Sequence, residues 1–273
     1  MEIFIIVTIF FYIASTAGYI AYLFFQKNYL HEAGCYLLAA GLFCHSMVIA
    51  YDFLKSGLVP VQNLYQILSL AAWIMTGVFL VFQYKFNLRI LGVYAAPLVT
   101  LITIISLHIP RNAAPVKNIL NNFWTVFHVF VILVGEASFA LACGLGMLYL
   151  IQEYSIKSKR HGFFFRRLPS LELLDNAGYA CIAAGFAMLT LGLISGFLYA
   201  KIVWGRLWSW DPKELCSAIA WLLYAAILHG RLALGWRGRR SAVMAVIGFA
   251  VLLFTFIGVN FLMKGHHGEF TRW

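Results

Sequence analysis

The sequence predicts an all-α polytopic membrane protein with eight transmembrane helices, and two observations carry that expectation. Over 273 residues the chain is 63% hydrophobic and 11% charged, far outside the balance of a soluble domain. Its apolar residues are gathered into runs of about 20, the length a helix needs to cross a ~30 Å hydrocarbon core. Backbone groups in lipid have no water to bond, so such runs must be helices.

Taken in order, the first run, Ile3 to Phe25, is long enough to span and lacks a basic leader and a small-residue cleavage site, so it reads as a span and not as a cleaved signal. The remaining spans are expected at about 35–51, 64–83, 90–109, 125–151, 179–202, 215–236 and 241–263. Polar connections are short except around 110–124, 152–178 and 201–214, too little for a soluble domain, so 1–273 reads as one integral membrane domain without an obvious repeat. In the sixth run Gly192-Leu-Ile-Ser-Gly196 is a small-xxx-small face for close helix packing. Phe163 to Phe165 beside Arg166 and Arg167 resembles an interfacial anchor.

The formal charge of +10 does not point to nucleic acid, because the basic residues sit in short loops where they set topology. One set of loops holds Lys27, Lys85, Arg89, Lys157, Lys159, Arg160, Arg166, Arg167, Arg231, Arg237, Arg239 and Arg240, twelve in all, against eight on the other side. The excess assigns the first set to the cytoplasm and both termini to the outside. Cys35, Cys44, Cys143, Cys181 and Cys216 all lie in apolar runs and none forms Cys-x-x-Cys, which argues against disulfides, zinc and a self-attached c-type haem.

The stretch Trp204-Gly205-Arg206-Leu207-Trp208-Ser209-Trp210-Asp211-Pro212-Lys213-Glu214 lies between the sixth and seventh spans on the expected outer side. Asp211 can cap the seventh helix, Pro212 suits the first helical position and Glu214 the first turn. Tryptophan is also ordinary at a membrane interface. Three indoles within seven residues, interleaved with Arg206 and Lys213, are also what a flat aromatic ligand with carboxylates would use, and haem fits that description. Residue chemistry alone leaves the anchor and the ligand platform both open.

Histidines favour the ligand. His128 lies at the outer start of the fifth span, and His266 and His267 follow the eighth, so candidate iron ligands flank the tryptophans on one side. His229 sits fourteen residues after Leu215, roughly 21 Å along a helix at ~1.5 Å per residue, deep in the bilayer. An ionisable group there is a functional candidate by default, with a helix-to-helix hydrogen bond as the alternative. His45 and Glu136 are further intramembrane polar groups that could simply bridge helices. His31 and His161 fall in expected cytoplasmic loops and His108 near the outer end of the fourth span, and these three are assigned no role.

The tryptophan stretch, with Ala220-Trp221 and Leu228-His229-x-Arg231, resembles the signature of the tryptophan-rich (WWD) haem-handling superfamily of cytochrome c biogenesis, and within it the CcsA (ResC)-type subunit of the system II cytochrome c synthase. Outlying segments look similar as well: Pro60-x-x-Asn63-Leu-Tyr65, Leu168-Pro-Ser-Leu-Glu172, Gly185-Phe186, Thr190-Leu-Gly192 and Gly258-Val-Asn260 before Lys264-Gly265-His266-His267. The chain departs from the pattern at Gln66, where the family often has an acidic residue, and at His266, where a nonpolar residue is expected.

The resemblance implies haem b as substrate and ligand, entering from the cytoplasmic side to a transmembrane site and reaching an outer one. His128 and His267 then match the outer iron ligands and His229 a membrane-embedded one, with His266 and His45 as further candidates. Trp204, Gly205, Arg206, Trp208, Trp210 and Asp211 would shape the outer pocket by positioning, without acid or base catalysis. It also implies holocytochrome c synthase (haem lyase) activity together with a ResB/CcsB-type partner that can supply a second intramembrane ligand. The client is apocytochrome c with its Cys-x-x-Cys-His motif, in a bacterial plasma membrane or a thylakoid. The rivals are a CcmC-like haem carrier, disfavoured by eight spans instead of six, a b-type electron-transfer subunit, disfavoured by too few intramembrane histidines, and a HemX-like regulator, disfavoured by the intact tryptophan signature.

Overall fold

The computed structural model describes residues 2–57, 59–109, 122–159, 162–208 and 210–255, and these are helical without a strand. The helices are α1 (Glu2–Phe25), α2 (Asn28–Ser56), α3 (Leu64–Phe86), a 3-10 turn (Arg89–Leu91), α4 (Gly92–Leu107), α5 (Phe123–Lys157), α6 (Leu171–Trp204), α7 (Pro212–Ala233) and α8 (Arg239–Leu253). Among them α1 to α7 account for seven helices long and apolar enough to cross a membrane. The fifteen-residue α8 covers the start of the eighth expected span, whose part from 256 onward lies outside the described residues.

Helices outrun the apolar runs at several ends. The second begins at Asn28 and not at 35, which places His31 within the first turn of α2 and corrects its assignment to a loop. The sixth begins at Leu171 and not at 179, where the Ser170 hydroxyl accepts from the Leu173 N–H at 3.3 Å. Similar caps start α3, where Asn63 Oδ1 accepts from Gln66 N–H at 2.9 Å, and α5, where Asn122 Oδ1 accepts from Thr125 N–H at 2.9 Å. Each satisfies an N–H that the helix itself leaves unbonded. Gln66 also accepts from the Gln62 N–H at 2.8 Å, a service a carboxylate in that position would render equally, so its departure from the family pattern is mild.

The most extensive pairing is α5 with α6; α5 also packs on α8 and α3, and α1 on α2 and α4. Lipid tails are as apolar as leucine, so burial alone does not drive these contacts; close approach and hydrogen bonds must. Rings seated over glycines provide the approach. Tyr12 lies where a β-carbon at Gly41 would fall 2.6 Å from its ring, and Phe139 stands in the same relation to Gly185 at 2.8 Å. Tyr19 occupies the space over Gly92, and Tyr94 that over Gly144.

Buried polar groups supply the bonds. His45, fully enclosed, meets Tyr12 through Nδ1 at 3.1 Å and Ser69 through Nε2 at 2.8 Å, tying α1, α2 and α3. Tyr19 donates to Gln83 Oε1 at 2.7 Å, and the Gln83 amide donates to His31 Nε2 at 3.1 Å.

At Gly146 a β-carbon would fall 2.8 Å from the Ala242 carbonyl oxygen of α8, a backbone atom that cannot swing aside, whereas nothing lies within 4 Å of one at Gly77. Gly146→Ala should therefore destabilise the protein by about 1–3 kcal/mol, while Gly77→Ala should be neutral or stabilise by about 0.5–1 kcal/mol through helix propensity. The temperature at which the enclosed Cys181 thiol becomes reactive in detergent reads out both.

Candidate functional site

Trp204 ends α6, and Gly205 closes it with φ of 73°, its N–H donating to the Lys201 carbonyl at 3.0 Å. A left-handed closing residue is where glycine has no steric penalty, so Gly205 turns the chain out of the helix and delivers the next tryptophans to the bundle's end. Trp208 packs against Phe197 of α6 with ring centroids 5.6 Å apart, and Trp210 meets Trp208 edge-on at 5.8 Å. Trp210 is 77% exposed and holds φ of 59°, a left-handed conformation that a bulky residue adopts only where its surroundings impose it.

The start of α7 fixes the far side of this loop. Asp211 is buried and its carbonyl accepts from Leu215 N–H at 3.1 Å, so Pro212 starts α7 where its missing N–H costs nothing. Glu214 Oε2 lies 3.4 Å from the Asp211 N–H, as expected of an acidic residue in a first turn. Arg206 is exposed. The Trp208 indole N–H is enclosed and meets no acceptor among the described residues. A buried donor of this kind can be met by water or by an acceptor on a bound molecule.

His128 reaches the same end of the bundle from α5. Its Nδ1 is 2.9 Å from the Gly192 carbonyl oxygen and 3.1 Å from Ser195 Oγ, both on α6. A carbonyl only accepts, so Nδ1 carries a proton. Around it Trp124 Nε1 donates to the Ser195 carbonyl at 3.1 Å and the Asn122 amide to Tyr199 Oη at 3.2 Å. Gly192 packs against Ile132 and Gly196 against His128 itself, so the small-xxx-small face does bring the two helices close, and its second glycine also seats a candidate ligand. That destination was not readable from the sequence. Deeper along α7, Trp221 stacks on Phe186 with centroids 5.4 Å apart and donates to Thr190 Oγ1 at 2.9 Å.

The remaining candidates separate. His229 is on α7 near the opposite end of the bundle and is exposed on its outward side, along a stripe with Leu215, Ile219 and Leu222. His45 has both ring nitrogens engaged within α1 to α3, the geometry of a helix bridge. His266 and His267 lie outside the described residues. His128 and Trp208 thus meet neighbouring stretches of α6, through Gly192, Ser195 and Gly196 for the one and Phe197 for the other, while His229 lies toward the other end of α7 and His45 within α1 to α3.

One polar cluster was missed by sequence reasoning. Arg231, two residues beyond His229, pairs with Asp175 of α6 through both nitrogens at 2.9 Å, with side chains 8% and 10% exposed. Asp175 also accepts from the Gly238 N–H at 2.9 Å, and the guanidinium lies 4.5 Å from the centre of the Tyr179 ring. The signal in the sequence was a carboxylate at the edge of an apolar run, but its partner is 56 residues away.

Known proteins share both the sequence and the fold. The family model described as cytochrome C assembly protein matches residues 61–267. The chain is 34% identical to the cytochrome c biogenesis protein CcsA of Guillardia theta, over 81% of this chain and 80% of that one. It is 37% identical to the CcsA protein of Synechococcus sp. (strain CC9605), over 78% of each. Its fold is similar to a solved cytochrome c heme lyase CcmF, with a TM-score of 0.65 at 15% identity, covering 99% of this chain and 48% of that one, so the chain spans about half of that structure.

Removing one partner of a buried ion pair strands the other charge. Asp175→Ala should lower stability by about 3–5 kcal/mol, while Asp175→Leu combined with Arg231→Met should cost less than that single change. Unfolding midpoints of the purified protein in detergent compare the two.

Proposed function

Because the chain belongs to the cytochrome c assembly protein family, we propose that it binds haem b and, with a ResB/CcsB-type membrane partner, attaches it to apocytochrome c. One observation supports this reading above the others: His128 is held as an Nδ1–H imidazole, the form that coordinates iron through Nε2, at the bundle end that carries the tryptophan loop. Iron ligation pairs it with His267. The indoles of Trp204, Trp208 and Trp210 shape the pocket around the porphyrin, with Gly205 letting the chain turn and Asp211 packing beneath. Arg206 and the Trp208 N–H are suited to the propionates.

The reaction is the addition of each cysteine S–H of Cys-x-x-Cys-His across a haem vinyl group. A carbon–sulfur bond forms, the vinyl double bond is consumed and the thiol proton ends on the neighbouring carbon, so no oxidant or reductant enters the balance. The named residues hold haem still and orient its vinyl edge toward the incoming thiols. Such positioning converts an encounter into an effectively intramolecular step.

His229 would ligate haem earlier, within the membrane. Its outward placement on α7 suits a site shared with the partner subunit, because a ring aimed away from its own bundle can complete an axial pair only with a ligand from another chain. This reading puts the tryptophan loop on the outer face of a bacterial plasma membrane or in a thylakoid lumen, with both termini on that side. A cysteine at Ser209 should then react with an impermeant thiol reagent in intact cells, and one at Ser158 should not.

In a host supplied with the partner and a c-type reporter, His128→Ala and His267→Ala should each abolish covalent haem attachment at near-normal protein abundance, and added imidazole should restore it by filling the vacant position. His266→Ala should behave as the parent. His229→Ala should lower the haem content of the purified complex. Normal attachment in both His128→Ala and a His266/His267 double variant would sink the outer haem site.

A further inference from the structure

We infer that Ser195 and Gly196 of α6 are positioning residues for His128, fixing its tautomer and the plane of its ring for iron ligation; this rests on the outer haem site proposed above. Ser195 is 3% exposed. Its hydroxyl donates to the Gly192 carbonyl at 2.9 Å, so its lone pairs are turned toward the His128 Nδ1–H at 3.1 Å. That proton is therefore received by two oxygens on one turn of α6, the hydroxyl and the carbonyl. Acceptors behind an imidazole increase the basicity of its other nitrogen and lock its orientation.

Gly196 sets the plane. A β-carbon there would fall 2.8 Å from Cε1 of the ring, 3.3 Å from Nδ1 and 3.6 Å from Nε2. The ring thus lies over the glycine with the atom between its two nitrogens closest to the helix, and any larger residue pushes on the edge that carries both. Trp124, one turn before His128, closes the seat by bonding the Ser195 carbonyl. Hydroxyls such as those of Ser138 and Thr190 bond back to their own helix in the same way; Ser195 differs in that its oxygen and the carbonyl it bonds both face Nδ1 of His128.

The test uses the protein purified with its partner subunit and loaded with haem, read by visible spectrum, by the reduction potential of the outer haem and by haem affinity. Ser195→Ala, which keeps the volume but removes the acceptor, should weaken outer haem binding roughly tenfold and move the potential to more positive values, because a less basic imidazole stabilises ferric iron less. Ser195→Thr, which retains the hydroxyl, should restore both. Gly196→Ala should replace the bis-imidazole spectrum by that of a singly ligated haem, and added imidazole should bring the original bands back. Parent affinity and potential in Ser195→Ala, alongside loss of the outer haem in His128→Ala, would overturn the positioning role and leave the haem site standing. Unchanged bands in His128→Ala would overturn the site itself. Should Gly196→Ala fail to accumulate, the Ser195 pair decides alone.

Discussion

Helices in lipid gain little from hiding apolar surface against each other, so this bundle depends on how closely their backbones can approach. The recurring device is an aromatic ring laid over a glycine of a neighbouring helix: Tyr12 over Gly41, Tyr19 over Gly92, Tyr94 over Gly144, Phe139 over Gly185. The ring brings the dispersion contacts that a flat apolar wall would give, while the missing side chain lets it sit against backbone. His128 over Gly196 is the same contact with an imidazole in place of a phenyl ring. The packing rule that builds the fold also builds the candidate site, so the ligand's orientation is set by the spacing of α5 and α6 and not by a loop.

That dependence explains which parts were legible in the sequence. Apolar runs located the helices, because hydropathy reports residence in hydrocarbon. It does not report where a helix stops, and α2 and α6 continue past their apolar runs through Asn28, His31, Glu172 and Asp175. These side chains are polar but sit at the bundle's ends, where partners are within reach: Gln83 for His31, Arg231 and Gly238 for Asp175. The start of α7 was legible as well, since Pro212 and Glu214 act locally and their roles are written within a few residues, whereas the turn at Gly205 that closes α6 emerged only in the structure. Gly192-Leu-Ile-Ser-Gly196 was legible as a packing face, yet nothing in it names His128, 64 residues earlier, as the group that fills it.

The two ends of the α6 and α7 pair are built differently. At one, Asp175, Arg231 and the Gly238 N–H form a closed set in which every charge is met, with Tyr179 covering the guanidinium. Replacing such a set by apolar residues of similar shape often leaves stability unchanged or higher, so its presence speaks for register more than for strength. It fixes how far α7 slides along α6, and with that the height at which Trp221 meets Phe186 and Thr190 and the place where Pro212 lets the chain enter from the tryptophan loop. At the other end the groups are unevenly satisfied: Trp210 is exposed in a left-handed conformation and the Trp208 N–H is buried without an acceptor among the described residues. A strained residue beside an unmet donor is what the binding site proposed above would leave when empty.

Three histidines show how placement decides role when the side chain is the same. His45 has spent both nitrogens on hydroxyls inside α1 to α3; to bind iron it would have to surrender a bond that joins helices, at the cost of a buried hydrogen bond. His128 turns Nδ1 to two oxygens of α6, acceptors of the kind that orient a ligating imidazole and raise its basicity, so its packing and its proposed chemistry reinforce each other. His229 is turned out of its own bundle along an apolar stripe, where lipid would leave an ionisable ring poorly solvated. The partner subunit proposed above would relieve that cost, and a haem shared between the two would hold the subunits together as much as they hold it. The same residue type therefore stands as a bridge between helices, as a ring oriented by its neighbour and as an outward-facing group, and the difference lies in which atoms the neighbouring helix already occupies.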